Sequence, residues 1–312
     1  MSNAASGIAR PPQSPRAVVF GEALVDVIDG TAFPGGSPLN VAVGLSRLGV
    51  TTRLAARFGD DAHGALIAEH LRASDVVFPE PVAGATTSRA EVVLNEAGQA
   101  QYAFTLDSAL PDTPLDGVEL VHTGSLGAVL APGSDTVVRA FASAADTLLT
   151  YDPNIRPALM VDHAATMRQV ETLAAASHIV KLSDEDAEWL YPGRSTDDVL
   201  ERFVSLGAKL AVLTRGAAGC LARTTSDAFT VPAPSIVVAD TVGAGDSFMA
   251  ALLSAVLDGP LAASLRSTSV PDPDDVTRAL EFAVRAAGIT SSRVGANPPW
   301  AHELVAEREV DG

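Results

Sequence analysis

The stretch DTVGAGDSFMA, Asp240 to Ala250, decides the fold of this chain. One apolar run, SIVVAD, leads into it, and another, FMAALLSAVL, follows it. The pattern predicts a strand, then a tight turn of small residues, then a buried helix. A glycine-rich turn between a strand and a buried helix is typical of α/β folds.

The same alternation of short β-branched runs and longer helical patterns continues along the chain from Ala17. It predicts an α/β fold with a doubly wound, mainly parallel sheet flanked by helices. Two extended segments, about 24–36 and 87–107, do not fit this alternation and are predicted to form a small separate sheet. We expect one domain over 17–312, after a polar, proline-rich and disordered leader at 1–16. The other predicted strands are AVVF, TRLAARF, VELVH, LLTYD, HIVKLS and AKLAVLT.

The composition limits the class of protein. A hydrophobic fraction of 47% in 312 residues supplies one large core, and no run approaches the ~18 apolar residues of a membrane helix. A net charge of −17 argues against non-specific binding to nucleic acid, which requires many cationic side chains. The single cysteine, Cys220, cannot form an intramolecular disulfide and is expected to be a small buried side chain. We therefore expect a soluble, cytoplasmic protein that binds neither membrane nor nucleic acid.

Four polar clusters follow directly on strand-like runs. Since ligands of doubly wound sheets bind beyond the carboxyl ends of the strands, these clusters are predicted to share one rim. Their glycine-rich loops indicate an anionic small-molecule ligand. The clusters are YDPNIR, KLSDED, LTRGAAG and ADTVGAGD.

In the last cluster, Gly243 and Gly245 allow a sharp turn into the helix. The unpaired amides of a helix N-terminus attract phosphate or a developing oxyanion. Asp246 lies inside this anion hole, where it either caps the helix or accepts a proton from a hydroxyl that attacks a phosphoryl group. Asp240 either binds a cation or begins the turn.

A second motif is GGSPLNVAVGLSRLG, Gly35 to Gly49. Ser37 is predicted to be the N-cap of a helix that Gly49 ends. The Gly35-Gly36 pair and Asn40 are not needed for that helix, and they indicate a ligand that approaches the backbone closely.

Other common catalytic and phosphate motifs do not occur in the sequence. It contains no G-x-x-x-x-G-K-[ST], and GAGDSF is a poor match to a dinucleotide fingerprint. Nor does it contain G-x-S-x-G, H-E-x-x-H or paired C-x-x-C. The phosphate site is therefore of another type.

Together the two motifs resemble the signatures of the ribokinase-like (PfkB) carbohydrate kinases. DTVGAGDSFMA is similar to their C-terminal D-T-x-G-A-G-D, and GGSPLNVA to their N-terminal G-G-x-x-x-N-x-A. The resemblance extends from VVFGEALVD to SSRVGANPPW and so covers nearly the whole chain.

The resemblance implies transfer of the γ-phosphoryl group of ATP to a primary hydroxyl of a sugar, with Mg²⁺. It implies that Asp246 is the catalytic base and that Gly243, Ala244 and Gly245 form the anion hole. The small sheet would be a lid that keeps water from accepting the phosphoryl group. Sugar hydroxyls would be held by Asp26, Gly35, Gly36 and Asn40.

The resemblance also implies nucleotide and cation sites. LTRGAAG matches a nucleotide-binding T-x-G. KLSDED replaces the usual N-x-x-E near the metal, which leaves Asp186 to reach Mg²⁺ through water. The implied nucleotide-binding residues are Lys181, Ser183, Thr214 and Gly216. A monovalent cation, K⁺, would lie at Asp240, Val242 and Gly295.

Within this family, GEALVD, DPNIRP and KLSDEDAEWL look most like fructokinases. Arg156 is expected in the pocket, paired with phosphate or substrate. Thr105 stands where many relatives have a lid arginine, which disfavours a ketoacid sugar unless Arg89 compensates. Ribokinase, 2-keto-3-deoxygluconate kinase, a vitamin or pyrimidine kinase, and a non-catalytic sugar- or nucleotide-binding regulator are the alternatives. A homodimer through the exposed edges of the lid is also expected.

Overall fold

The computed structural model describes residues 16–28, 30–94, 100–144 and 146–305. The predicted leader, apart from Arg16, lies outside the described residues. Arg16 donates hydrogen bonds to Glu119 and Asp258 elsewhere in the described chain.

The described residues form twelve strands in two sheets. In chain order the strands are β1 (Ala17–Phe20), β2 (Leu24–Ile28), β3 (Thr31–Gly35), β4 (Thr52–Ala55), β5 (Ser88–Leu94), β6 (Ala100–Thr105), β7 (Leu120–Gly124), β8 (Leu148–Asp152), β9 (Ile179–Ser183), β10 (Leu210–Thr214), β11 (Cys220–Arg223) and β12 (Ala228–Val231).

Eleven α-helices occur in the same residues. They are α1 (Ser37–Arg47), α2 (Ala62–Arg72), α3 (Ser125–Val129), α4 (Gly133–Ser143), α5 (His163–Ala175), α6 (Asp184–Leu190), α7 (Thr196–Leu206), α8 (Ala244–Asp258), α9 (Leu261–Leu265), α10 (Pro273–Ser291) and α11 (Ala301–Val305).

The main sheet has eight strands in the order β12-β11-β10-β9-β8-β7-β1-β4. The six strands from β4 to β10 in this order are parallel, and β11 and β12 join antiparallel at one edge. The predicted doubly wound, mainly parallel sheet is confirmed. Its parallel strands are buried on both faces because helices cover each side.

All four residues of β1 are buried, and their side chains alternate between two hydrophobic cores. Ala17 and Val19 face a core formed with α1, α2, α8 and α10, whereas Val18 and Phe20 face a core formed with α3 to α7. The period-2 geometry of a strand thus divides the hydrophobic residues between two layers of helices. Cys220 is buried in the first layer, as expected, and burial raises the pKa of its thiol to about 12.

The prediction of a strand at IVVAD is wrong. Residues 232–243 form no strand, and Val237 and Val238 are 88% and 56% exposed. The edge of the sheet is instead formed by β11 and β12, which the sequence analysis did not identify. An apolar run has the same pattern whether or not another strand pairs with it, so periodicity alone cannot separate the two cases.

The second sheet has the order β3-β2-β5-β6 and confirms the small sheet predicted from 24–36 and 87–107. β2 and β3 form a hairpin that pairs Leu24 with Gly35. β5 lies parallel to β2, with Ser88 opposite Leu24. The hairpin ends directly before α1, so this sheet adjoins the start of that helix.

Helices α1 and α8 pack closely against each other. A side chain at Gly44 in α1 would collide with Ala250 in α8, its Cβ only 2.6 Å from the Ala250 Cβ. The glycine allows the two helix axes to approach. This packing brings the start of α1 beside the start of α8.

Candidate active site

Asp246 lies in the first turn of α8 and is 8% exposed. Its Oδ1 accepts a hydrogen bond of 2.6 Å from Ser37 Oγ, and its Oδ2 accepts one of 2.8 Å from Asn40 Nδ2. No side-chain bond caps α8, whose N-cap residue is Gly243. The capping alternative for Asp246 is therefore wrong, and the carboxylate is held by the first turn of α1.

The prediction that Ser37 is the N-cap of α1 is wrong. The cap position belongs to Gly36, and Ser37 is the first helical residue. A side chain at Gly36 would come within 2.8 Å of the Glu22 carbonyl oxygen, and the backbone has a φ of 104°. Because glycine is required at the cap, the serine is shifted into the helix and its hydroxyl reaches Asp246 instead.

The predicted anion hole is a left-handed turn that leads into α8. Gly243 has a φ of 73°, and a Cβ there would lie 2.6 Å from the Ala296 Cβ. The amide of Ala244 donates to Thr241 O at 3.3 Å. The following first-turn amides have no acceptor within the helix and are directed out of its N-terminus.

A buried ion pair lies beneath this turn. Lys181 Nζ is 2.7 Å from Asp152 Oδ2, and both side chains are almost fully buried. Lys181 Nζ would also lie only 3.1 Å from a Cβ at Gly245. The glycine thus allows the ammonium group to approach the backbone of the anion hole.

Four charged side chains lie close enough in this region to shift the pKa values of two of them, Asp152 and Lys181. Burial raises the pKa of Asp152 to about 6; Lys181 lowers it, and the carboxylates of Asp186 and Asp246 raise it further. The pKa of Lys181 is raised above its ordinary value, because these carboxylates outweigh the effect of its burial. Asp152 was not predicted from the sequence as a site residue, although it belongs to the polar cluster YDPNIR.

The residues predicted to bind the sugar lie at the junction of the small sheet and α1. Asp26, on β2, faces Gly35, where any side chain would collide with the Asp26 carboxylate. Burial raises the pKa of Asp26, and the positive charge of Arg156 opposes this. Arg156 is exposed and donates to Asn154 Oδ1 at 2.6 Å.

Glu22 is a further buried carboxylate that the sequence analysis did not select. Its Oε2 accepts a hydrogen bond from the amide of Gly127 at 3.0 Å. Burial raises its pKa, while the bonds from Gly127 and Ser125 and the charge of Arg156 oppose the shift. The sequence carries a weak signal for it, since a glutamate follows the buried strand β1 after a single glycine.

The predicted nucleotide side occupies the carboxyl ends of β9 and β10. Ser183 and Asp186 form a reciprocal capping box at the start of α6. Both Asp186 oxygens accept backbone amides, from Ile155 at 2.7 Å and from Ser183 at 2.9 Å. Thr214 ends β10, and Gly216, with a φ of 50°, begins the turn that follows.

The three residues of the predicted cation site lie together. Asp240 Oδ1 accepts the amide of Val242 at 3.0 Å, and its Oδ2 accepts the amide of Gly295 at 2.8 Å. These backbone hydrogen bonds lower the pKa of Asp240. Asp240 therefore fixes two loops beside the anion hole, which supports the turn-forming alternative.

The geometry groups the predicted residues around one rim. A carboxylate, two glycine-rich turns and a buried ammonium meet there, between a small sheet and the main sheet. Such an arrangement can hold an anion, position a hydroxyl and accept its proton.

Residues 10–303 match the pfkB family carbohydrate kinase pattern. A fructokinase of Rhizobium leguminosarum bv. trifolii is 34% identical over 255 residues, which cover 76% of this chain and 78% of that protein. Fructokinase-1 of Oryza sativa subsp. japonica is 32% identical over 317 residues, 92% of this chain and 95% of the rice protein.

The fold also has close relatives among solved structures. The crystal structure of fructokinase with bound ATP from Xylella fastidiosa superposes with a TM-score of 0.81 at 23% identity, and the match covers 95% of this chain and all of that one. Among the described residues, each helix is too short or too polar to span a bilayer.

Proposed function

The chain belongs to the pfkB family of carbohydrate kinases, and on this premise we propose that it is a fructokinase that transfers the γ-phosphoryl group of ATP to a primary hydroxyl of fructose. The observation that carries the proposal is the position of Asp246. Its carboxylate is buried, held on both oxygens, and placed in the first turn of a helix whose amides attract phosphate. The choice of fructose rests on the fructokinase relatives.

In the proposed reaction, Asp246 accepts the proton of the sugar hydroxyl while the new O–P bond forms and the bond between the γ-phosphorus and the bridging oxygen breaks. An ordinary carboxylate cannot fully deprotonate an alcohol beforehand, so proton transfer accompanies phosphoryl transfer. ADP is the leaving group. A base of this kind contributes about 10²- to 10⁴-fold to the rate.

The turn at Gly243, Ala244 and Gly245 would bind the negative charge that develops on the transferring group. The amides of the first turn of α8 provide the hydrogen bonds. Lys181 adds a positive charge beneath Gly245, where burial strengthens its effect.

Asp26, Gly35, Gly36, Asn40 and Arg156 would orient the sugar. The close approach of Asp26 to Gly35 supports a shared site for sugar hydroxyls at the lid junction. Asn40 donates one amide hydrogen to Asp246 and has a second hydrogen for a substrate oxygen. The lid over this junction would exclude water and suppress hydrolysis of ATP.

ATP would lie along the ends of β9 and β10, near Ser183, Thr214 and Gly216. The described residues contain no group of three or more His, Cys, Asp or Glu side chains that could hold a metal. Mg²⁺ would be held mainly by the phosphates of ATP, and Asp186 would reach it through water. When bound, Mg²⁺ neutralises charge on the phosphates.

A K⁺ ion would be held by the loops around Asp240, Val242 and Gly295. Their proximity supports this assignment, since backbone carbonyls of two adjacent loops suit a monovalent cation. Replacing potassium with choline chloride at constant ionic strength tests it, and an unchanged kcat contradicts it.

Two copies of the chain would pair through the lid. β3 is an edge strand, and Phe33 and Ile28 on the β2–β3 hairpin are 50% and 51% exposed. An exposed apolar edge strand favours pairing. Light scattering of the protein and of Phe33→Lys tests this; a wild-type monomer would contradict it.

The function is tested with a panel of sugars and one variant. Release of ADP is measured with fructose, ribose and 2-keto-3-deoxygluconate, and fructose should give the highest kcat/KM. Asp246→Asn should lower kcat at least about 100-fold while fructose still binds. Asp258→Asn, at the other end of α8, is the matched control and should retain activity. Near-native turnover by Asp246→Asn would overturn the mechanism, and a preference for another sugar would overturn the substrate.

A further inference from the structure

We propose that Ser37 is a positioning residue for phosphoryl transfer, acting through Asp246. Its hydroxyl donates to Asp246 Oδ1 and holds the carboxylate in the orientation in which it accepts the sugar proton. The inference rests on the proposed function, since it requires Asp246 to be the base.

The contact is short and buried. Ser37 is 4% exposed, and the distance of 2.6 Å from Oγ to Oδ1 is that of a charge-assisted hydrogen bond. Asn40 binds the other oxygen at 2.8 Å. Ser37 and Asn40 are three residues apart on α1, so both lie on the face directed at α8.

The helix itself does not need the hydroxyl. Gly36 occupies the N-cap position, and α1 has no side-chain cap bond, so Ser37 does not satisfy the amides of its own helix. In the part of the chain that the structure describes, the only hydrogen bond of the hydroxyl is the one to Asp246. Alanine would fill almost the same volume at this position. The hydroxyl therefore serves the carboxylate.

Two donors, one on each oxygen, fix the plane of the carboxylate. The terminal torsion of an aspartate is broad, so a single donor would leave the group free to turn. Loss of Ser37 Oγ leaves only Asn40, which also has to serve the sugar in the proposed reaction. Ser37 thus separates the task of orienting the base from that of binding the substrate.

The test compares Ser37→Ala with Ser37→Thr, which keeps a hydroxyl, and with Ser46→Ala on the same helix as the matched control. We expect Ser37→Ala to lower kcat about tenfold at pH 7, with KM for fructose and for ATP within about twofold of wild type. Ser37→Thr should recover most of the rate, and Ser46→Ala should match wild type.

The folded fraction of each variant is measured by circular dichroism and kcat is expressed per folded protein, so a loss of stability is not read as a loss of rate. A wild-type kcat in Ser37→Ala would overturn the inference, whatever Ser37→Thr does. A loss confined to KM would also overturn it.

The double variant Ser37→Ala/Asp246→Asn separates this inference from the proposed function. If Ser37 acts through Asp246, the double variant should be no slower than Asp246→Asn alone. If Asp246→Asn is itself fully active, the proposed function fails. If Asp246→Asn is inactive and Ser37→Ala is unchanged, only the role of Ser37 fails.

Discussion

Lys181 Nζ lies 2.7 Å from Asp152 Oδ2, and the two side chains are 5% and 0% exposed. They stand near the carboxyl ends of the neighbouring parallel strands β9 and β8, directly beneath the turn at Gly245. A charge pair without access to water is costly to break, because either partner alone is left unpaired in a medium of low dielectric constant. Folding thereby places a positive charge under the proposed phosphoryl site.

Replacing Lys181 with methionine should therefore destabilise the protein by about 3–5 kcal/mol, because Asp152 is left buried without its partner. The cost should be smaller at pH 5 than at pH 8, since a protonated Asp152 needs no cation. Urea unfolding at both pH values measures this. Lys209→Met, which removes the only other lysine, is the control; equal costs in the two variants would contradict the prediction.

Replacing Gly243 with alanine should impair turnover more than folding. The backbone there has a φ of 73°, and the new Cβ would come within 2.6 Å of the Ala296 Cβ, so the turn must move. Gly193→Ala is a matched control, because its φ is 74° and its Cβ would meet no atom within 4 Å. Both variants should lose about 1–2 kcal/mol of stability from backbone strain.

Only Gly243→Ala should also lose on the order of 10²-fold in kcat, since displaced amides no longer face the developing charge. Steady-state kinetics with saturating ATP and fructose measure this effect. Equal kcat values for the two variants would show that the turn does not take part in the reaction.

The sequence predicted the fold well because its signals are local. β1, β4 and β7 to β10 each follow from a short apolar run, and the β2–β3 hairpin from an extended segment outside the βα alternation. The run IVVAD failed because its pattern equals that of a buried strand, yet the segment is exposed and forms no strand. Pairing is a tertiary property, and no local pattern records it.

The site was predictable only in part, for a related reason. The glycine turn and Asp246 were found because they are adjacent in sequence. The hydrogen bond from Ser37 joins residues 209 positions apart and exists only because α1 packs on α8. The pairing of Asp152 with Lys181 carried a usable signal, namely a charged residue within each of two otherwise apolar strand runs.

Replacing Gly35 with alanine should weaken sugar binding selectively. The added Cβ would collide with the Asp26 carboxylate and displace it from the junction of the small sheet and α1. We expect KM for fructose to rise at least about tenfold, because one hydrogen bond to a charged group is lost. KM for ATP should change less than about twofold. Gly30→Ala, at the turn of the same hairpin, adds strain without meeting another atom and should leave both KM values near wild type. An unchanged KM for fructose in Gly35→Ala would remove Asp26 from the sugar site.

His122 on β7 should make the protein sensitive to acid. Its ring is fully buried, and Nδ1 lies 3.0 Å from Thr150 Oγ1, whose own hydrogen is donated to Val121 O at 3.2 Å. Nδ1 therefore carries the proton, and Nε2 has no partner among the described residues. Burial and the nearby charge of Lys181 lower the pKa of His122 to about 3.

Since the unfolded chain binds this proton near pH 6.5 and the folded chain does not, the contribution of His122 to stability is full above pH 6.5 and is lost as the pH falls toward 3. His122 alone should decrease the free energy of unfolding by about 1.4 kcal/mol per pH unit in this range, or roughly 2 kcal/mol between pH 6.5 and pH 5. Asp152 acts in the opposite direction, because its pKa in the folded protein, about 6, lies above its ordinary value.

His122→Leu keeps Asp152 and should lose only the histidine part of the slope, whereas His302→Leu, at an exposed position on α11, should keep the wild-type slope. Urea unfolding at pH 5, 6 and 7 measures all three slopes, and a His122→Leu slope equal to that of wild type would mean that the ring is protonated as readily in the folded protein as in the unfolded chain.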